Sequence, residues 1–124
     1  MADAHTVPDP QDELVATKLM LLRPGRMPIL YERTMRTAPS LKEIKAQIEP
    51  LLGLRPLERV AVLYEGQQLD MFVDEMSALD ELPRNDVATS IYRNNWLTQY
   101  SDTDPEMLPA IYGPAVLAMR RIWF

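Results

Sequence analysis

Four carboxylates, Asp74, Glu75, Asp80 and Glu81, form the densest internal cluster of side chains able to do chemistry. Oxygen donors at that density suit a hard cation such as Ca²⁺ or Mg²⁺, and paired carboxylates can divide acid and base work. The spacing is not that of a calcium loop, because no glycine sits at the centre of a D-x-[DN]-x-[DN]-G run. Nothing in the neighbouring sequence marks a substrate pocket. The cluster reads as a solvated acidic loop, and no metal ligand is assigned.

A second group, Arg84, Asn85, Tyr92, Arg93, Asn94, Asn95 and Trp96, combines forked donors with aromatic faces. Arg and Asn can grip phosphates or base edges, and Tyr and Trp can stack. The stretch around them is acidic, whereas nucleic-acid grooves are basic. The plainer expectation is that Asn85 caps a helix, Tyr92 and Trp96 pack in the core, and Arg93 to Asn95 face water. Glu75 and Asn85 flank one loop and can hold its backbone. Ile122-Trp123-Phe124 is apolar where chain ends usually fray, so it either completes a strand or makes a contact. The candidate interaction residues are therefore Glu75, Asn85, Tyr92, Arg93, Trp96, Trp123 and Phe124.

Other chemistries lack their parts. There is no cysteine and one histidine, His5, so thiol catalysis and a Ser-His-Asp triad have nothing to build on. Ser40 and Ser90 have no histidine partner, and Lys18 or Lys45 would need desolvation to become a nucleophile. Gly25, Gly53, Gly66 and Gly113 are too far apart for G-x-G-x-x-G or a P-loop. No enzyme activity and no cofactor are expected.

These groups sit in a chain of 124 residues, 47% apolar and 25% charged, the balance of one folded domain. The formal charge of −5 argues against a general nucleic-acid or anionic-membrane binder. Charge is uneven: residues 18–59 hold nine Lys/Arg against four Asp/Glu (+5), and residues 60–106 hold two against ten (−8). Such polarity can steer a partner or drive head-to-tail association. The basic segment 18–59 leaves nucleic-acid binding as a lesser alternative. Neither a leader nor an apolar stretch of about 20 residues is visible, which points to a cytoplasmic protein.

The elements that must position the candidates follow from pattern. Residues 1–13 read as a mobile acidic tail before a single domain, 14–124. Leu14–Leu22 and Met27–Met35 form a hairpin about Pro24-Gly25, with Pro28 outside the ladder. Ser40-Leu41-Lys42-Glu43 is a capping box, and Leu41, Ile44, Ile48 and Leu51 share one helix face. Pro50 ends or kinks that helix, and Gly53 closes it. Glu58–Tyr64 has the pattern of a central strand and Leu69–Asp74 that of its hairpin partner. A second helix starts near Val87 with Val87/Ala88, Ile91/Tyr92 and Trp96 inward, turning or ending before Leu97. Ala115–Trp123 is a last strand, with Arg120-Arg121 emerging to solvent. The sum is an α+β domain, a mixed or antiparallel sheet of about five strands with two helices packed on one face. Its first half is β-grasp-like.

The order of features from Ser40 to Met119 resembles domain of unknown function 3846, a small uncharacterised family of bacteria and their phages. The residues that carry the resemblance are the helix Ser40–Glu49, the Gly53 turn, Leu57-Glu58 and Phe72-Val73-Asp74-Glu75. They continue with Leu82-Pro83-x-Asn85, Ala88-Thr89, Ile91-Tyr92 and Ile111-x-Gly113-x-Ala115-Val116-Leu117. The chain departs in having one glycine at the first turn and Pro50 and Pro56 around it. The resemblance implies an accessory protein of a phage or mobile element, with no assigned activity and no catalytic residues. With the residue reading, it points to a non-enzymatic module that binds a host protein. The alternative is a small-ligand or nucleotide site built from loop 75–85 and helix 87–98.

Overall fold

Burial alternates along most of Leu14–Leu22 (β1) and Ile29–Arg36 (β2), and the two strands pair antiparallel from Leu14↔Arg36 to Leu21↔Ile29. This computed structural model describes residues 13–77 and 79–124. The tail expected over 1–13, with His5, lies outside the described residues up to position 12. Glu13 belongs to the domain, because its carbonyl accepts from the Thr37 N–H at 2.8 Å and the Thr37 hydroxyl at 3.1 Å.

Leu41–Ile48 (α1) and a 3₁₀ turn, Glu49–Leu52, connect β2 to Leu57–Tyr64 (β3). Ser40 caps α1, its hydroxyl accepting from the Glu43 N–H at 3.2 Å. The reciprocal half of the expected capping box differs. The Glu43 carboxylate instead accepts from the Arg36 N–H at 3.1 Å and so ties the helix to the end of β2. Pro50 tightens the last turn into 3₁₀ form, and Gly53 ends it at φ +77°.

A two-residue turn, Glu65-Gly66, with positive φ at both positions, returns β3 into Gln67–Asp74 (β4). Asp86–Gln99 (α2), a 3₁₀ turn at Pro105–Met107 and the short strand Ala115–Ala118 (β5) complete the chain. The sheet order is β2-β1-β5-β4-β3, with every pairing antiparallel. The architecture is α+β, five strands and two helices, as expected.

The layering is corrected. Leu19, Leu21, Phe72, Val116 and Ala118 pack with Ile44 and Ile48 of α1, whereas Leu22, Met71, Val73, Ala115 and Leu117 pack with Ala88 of α2. The helices therefore lie on opposite faces. β4 and β5 are apolar on both sides, and a sheet with two apolar faces needs cover on both. For the same reason β5, not β3, is the central strand, and β3 is an edge on which only Val62 is buried.

The ends of elements differ as well. α2 continues through Leu97 to Gln99; Val87 is exposed, and Trp96 lies outside the core against Tyr100, ring centroids 5.2 Å apart. β5 stops at Ala118 rather than Trp123. Arg120 does not emerge to solvent as expected. Its guanidinium donates to the Thr17 hydroxyl at 3.0 Å, the Thr37 carbonyl at 2.8 Å and the Arg36 carbonyl at 2.7 Å. Burial lowers its pKa from the ordinary arginine value, with the nearby Glu43 carboxylate opposing the shift. Beyond it Ile122 is fully buried, because the Asp70 carboxylate accepts from the N–H groups of Ile122 (2.8 Å) and Trp123 (3.0 Å). Arg59 holds the other oxygen of Asp70 from two nitrogens, at 3.0 and 2.9 Å. Among the described residues no helix is long and apolar enough to cross a membrane.

Candidate functional site

Asn85 does more than cap α2. Its side-chain oxygen accepts from the Ala88 N–H at 3.1 Å, while its amide donates to the carbonyls of Leu22 (3.0 Å) and Gly113 (2.9 Å). It is 1% exposed, and both donors and one acceptor site are used. The Thr89 hydroxyl exchanges two bonds with Ile111, accepting from the N–H at 2.8 Å and donating to the carbonyl at 3.3 Å. The Asn85 N–H reaches the Ile111 carbonyl and the Gly113 N–H the Pro83 carbonyl, each at 2.8 Å. Segment 82–89 and segment 111–113 thus form one buried polar joint. Gly113 is required there: its φ is +74°, and a Cβ would meet Leu82 Cδ1 at 2.8 Å.

Beside this joint a cleft of about 250 Å³ opens between the β3–β4 end, α2 and segment 109–112. Glu58, Glu75, Ser77, Tyr92 and Tyr112 line it, over a floor of Val60, Val73 and Ile111. Glu58 pairs with Val73 in the β3–β4 ladder, and the Glu75 N–H extends that ladder by bonding the Pro56 carbonyl at 3.0 Å. Glu58 and Glu75 are therefore diagonal neighbours on the α2 face, roughly 7–8 Å apart at the backbone. Neither carboxylate has an ion-pair or hydrogen-bond partner among the described residues. The hydroxyls of Tyr92, Tyr112 and Ser77 also lack partners among them. Ser77 is only 7% exposed.

The acidic cluster that the sequence presents as a solvated loop is divided. Asp74 is buried, accepts from the Met76 N–H at 2.9 Å, and shares Arg55 with Asp80 as an ion-pair partner on either side. Glu75 and Glu81 stay exposed. No group of three or more His, Cys, Asp or Glu among the described residues is placed to hold a metal.

The remaining candidates do not converge. Glu75 and Tyr92 line the cleft, and Arg93 supports it rather than facing water. Its guanidinium donates to the Leu108 carbonyl at 3.0 Å and lies 3.7 Å from Glu106, holding segment 105–108 against α2. Asn95 donates to the Ala61 carbonyl on the β3 edge at 3.2 Å. Trp96 is not part of the cleft lining. Trp123 and Phe124 lie on the other face: Trp123 packs beside Phe72, while Phe124 is exposed with Arg121 over its ring. Sequence reasoning missed Glu58, Ser77 and Tyr112. Tyr112 occupies the unspecified position of Ile111-x-Gly113, and Glu58 is a lone charge on a face that otherwise carries Val60 and Val62.

Compared with known proteins, the chain matches no family model, no curated protein and no solved structure at a significant level.

Proposed function

We propose that this chain is a non-enzymatic protein-binding module whose cleft takes up a side chain of its partner. The observation that carries the reading is a concave site whose two carboxylates and three hydroxyls have no partner within the described fold. The carboxylates are exposed and meet water, so a partner's donors can replace that water while its apolar part covers the floor of the cleft. At about 250 Å³ the cleft matches one long side chain better than the roughly 300–1,000 Å³ of small-molecule sites. Membership of domain of unknown function 3846, and with it a role as a cytoplasmic accessory of a phage or mobile element binding a host protein, rests on the ordered short motifs. Two of them, Leu82-Pro83-x-Asn85 and Ile111-x-Gly113, meet in the buried joint beside the cleft.

Selection of random peptides on the immobilised chain tests the docking site. Peptides should be enriched, and their binding should fall at least tenfold on Glu75→Lys, which places a like charge where a partner cation would sit. Enriched peptides indifferent to Glu75→Lys and to Tyr112→Ala would overturn the assignment of the cleft.

A further inference from the structure

We infer that the group received by the cleft is a guanidinium, presented by an arginine side chain of the partner; this rests on the cleft being the docking site. The charge comes first. Glu58 and Glu75 stand on one face as diagonal neighbours with no cation of the described fold between them. Two like charges so placed repel one another, and a cation inserted between them removes that repulsion while gaining two charge-assisted bonds. The arginines on the bordering segments are paired elsewhere: Arg55 with Asp74 and Asp80, Arg84, which bridges to Tyr112 in the backbone, with Asp86, and Arg93 with the Leu108 carbonyl and Glu106.

The second observation is independent of the carboxylates. Ser77 is more than nine-tenths buried, lines the same cleft and has no hydrogen-bond partner. Its hydroxyl keeps a solvent-accessible surface and has no partner in the described fold, so it is free to accept from a donor entering the cleft in place of water. Its position is fixed by the Asp74 carbonyl, which accepts the Ser77 N–H at 3.2 Å, and by the Leu82 N–H, which reaches the Ser77 carbonyl at 3.1 Å.

The shape of the site then separates arginine from lysine. Two carboxylates, the Ser77 hydroxyl and two tyrosine hydroxyls offer more acceptor sites than the three donors of an ammonium can use. A guanidinium brings five N–H donors in a plane, and the two residues beside it in the lining, Tyr92 and Tyr112, are of a type on which such a plane can stack. The apolar floor of Val60, Val73 and Ile111 suits the methylene stem that carries it.

Amide chemical shifts of the ¹⁵N-labelled chain, titrated with Nα-acetyl-arginine amide, test the inference. The lysine and citrulline amides serve as comparisons, citrulline having nearly the same shape without the charge. Arginine amide should move the signals of Ser77, Tyr92 and Tyr112, lysine amide should bind several-fold more weakly, and citrulline amide should leave them in place. The double variant Glu58→Gln/Glu75→Gln should weaken arginine binding at least tenfold without lowering the melting temperature, since both side chains are exposed and unpaired. Citrulline binding as well as arginine, or the double variant binding as well as the parent, would overturn the guanidinium. Cleft-dependent selected peptides that contain no arginine would overturn it while leaving the docking site in place. Failure of both the peptides and the arginine probe would remove the docking site with it.

Discussion

Ser40 and Asn85 cap their helices in the same geometry, yet their loss should differ in size. Ser40→Ala removes one acceptor at an exposed N-terminus and should cost about 1 kcal/mol. Asn85→Ala removes the same kind of cap and also strands the buried Leu22 and Gly113 carbonyls, each worth roughly 1–3 kcal/mol unpaired. A loss of about 3 kcal/mol or more is expected, read as a fall in urea midpoint at unchanged slope. Equal losses for the two variants would mean that the joint adds nothing to the cap. Gly113→Ala should cost about 1–2 kcal/mol from its left-handed backbone alone. At this scale the sequence discloses what is local. Ser40 and Glu43 are three residues apart, so the cap is legible. The partners of Asn85 lie 63 and 28 residues away, and no pattern along the chain predicts which carbonyls they are.

Strands and helices were legible wherever one period dominated. β1, β2, α1 and β4 fall within two residues of their expected bounds because the Pro24-Gly25 turn, the Ser40 cap and the alternation of Leu69–Asp74 mark them locally. β3, read as central, is an edge because apolar runs look alike at the centre and at an edge; only pairing decides. The C-terminal segment shows the other limit. Ile122 and Trp123 are in the core without being in a strand, held by Asp70, which the alternation of β4 places on the α1 face but cannot pair with a chain end. Truncation after Arg121 should remove a fully buried isoleucine, a half-buried tryptophan and the two backbone donors to one oxygen of the buried Asp70 carboxylate. That amounts to several kcal/mol out of a total of about 5–15 for a domain of this kind. The melting temperature should fall steeply or the chain should fail to fold. An unchanged melting temperature in a monomeric truncated chain would contradict the role given to this segment.

Across the whole molecule, the sheet order turns uneven charge along the chain into separated charge in space. β2, β1 and α1 carry the surplus of Lys and Arg, while β4, the loop after it and α2 border the acidic cleft. Arg55 and Arg59, basic residues of the first half, cross to the acidic side and are neutralised there by Asp74, Asp80 and Asp70. A basic partner approaching the cleft is therefore steered by an uncompensated field. Its association rate should drop severalfold as salt shortens the screening length from about 30 Å at 0.01 M to about 8 Å at 0.15 M. A rate indifferent to salt would deny the charge separation a part in recognition. The most direct measurement is the map of amide shift changes when a peptide selected on the chain is bound. The account predicts changes concentrated at Glu58, Glu75, Ser77, Tyr92 and Ile111-Tyr112; changes concentrated at Leu41, Trp123 and Phe124 on the opposite face would contradict it.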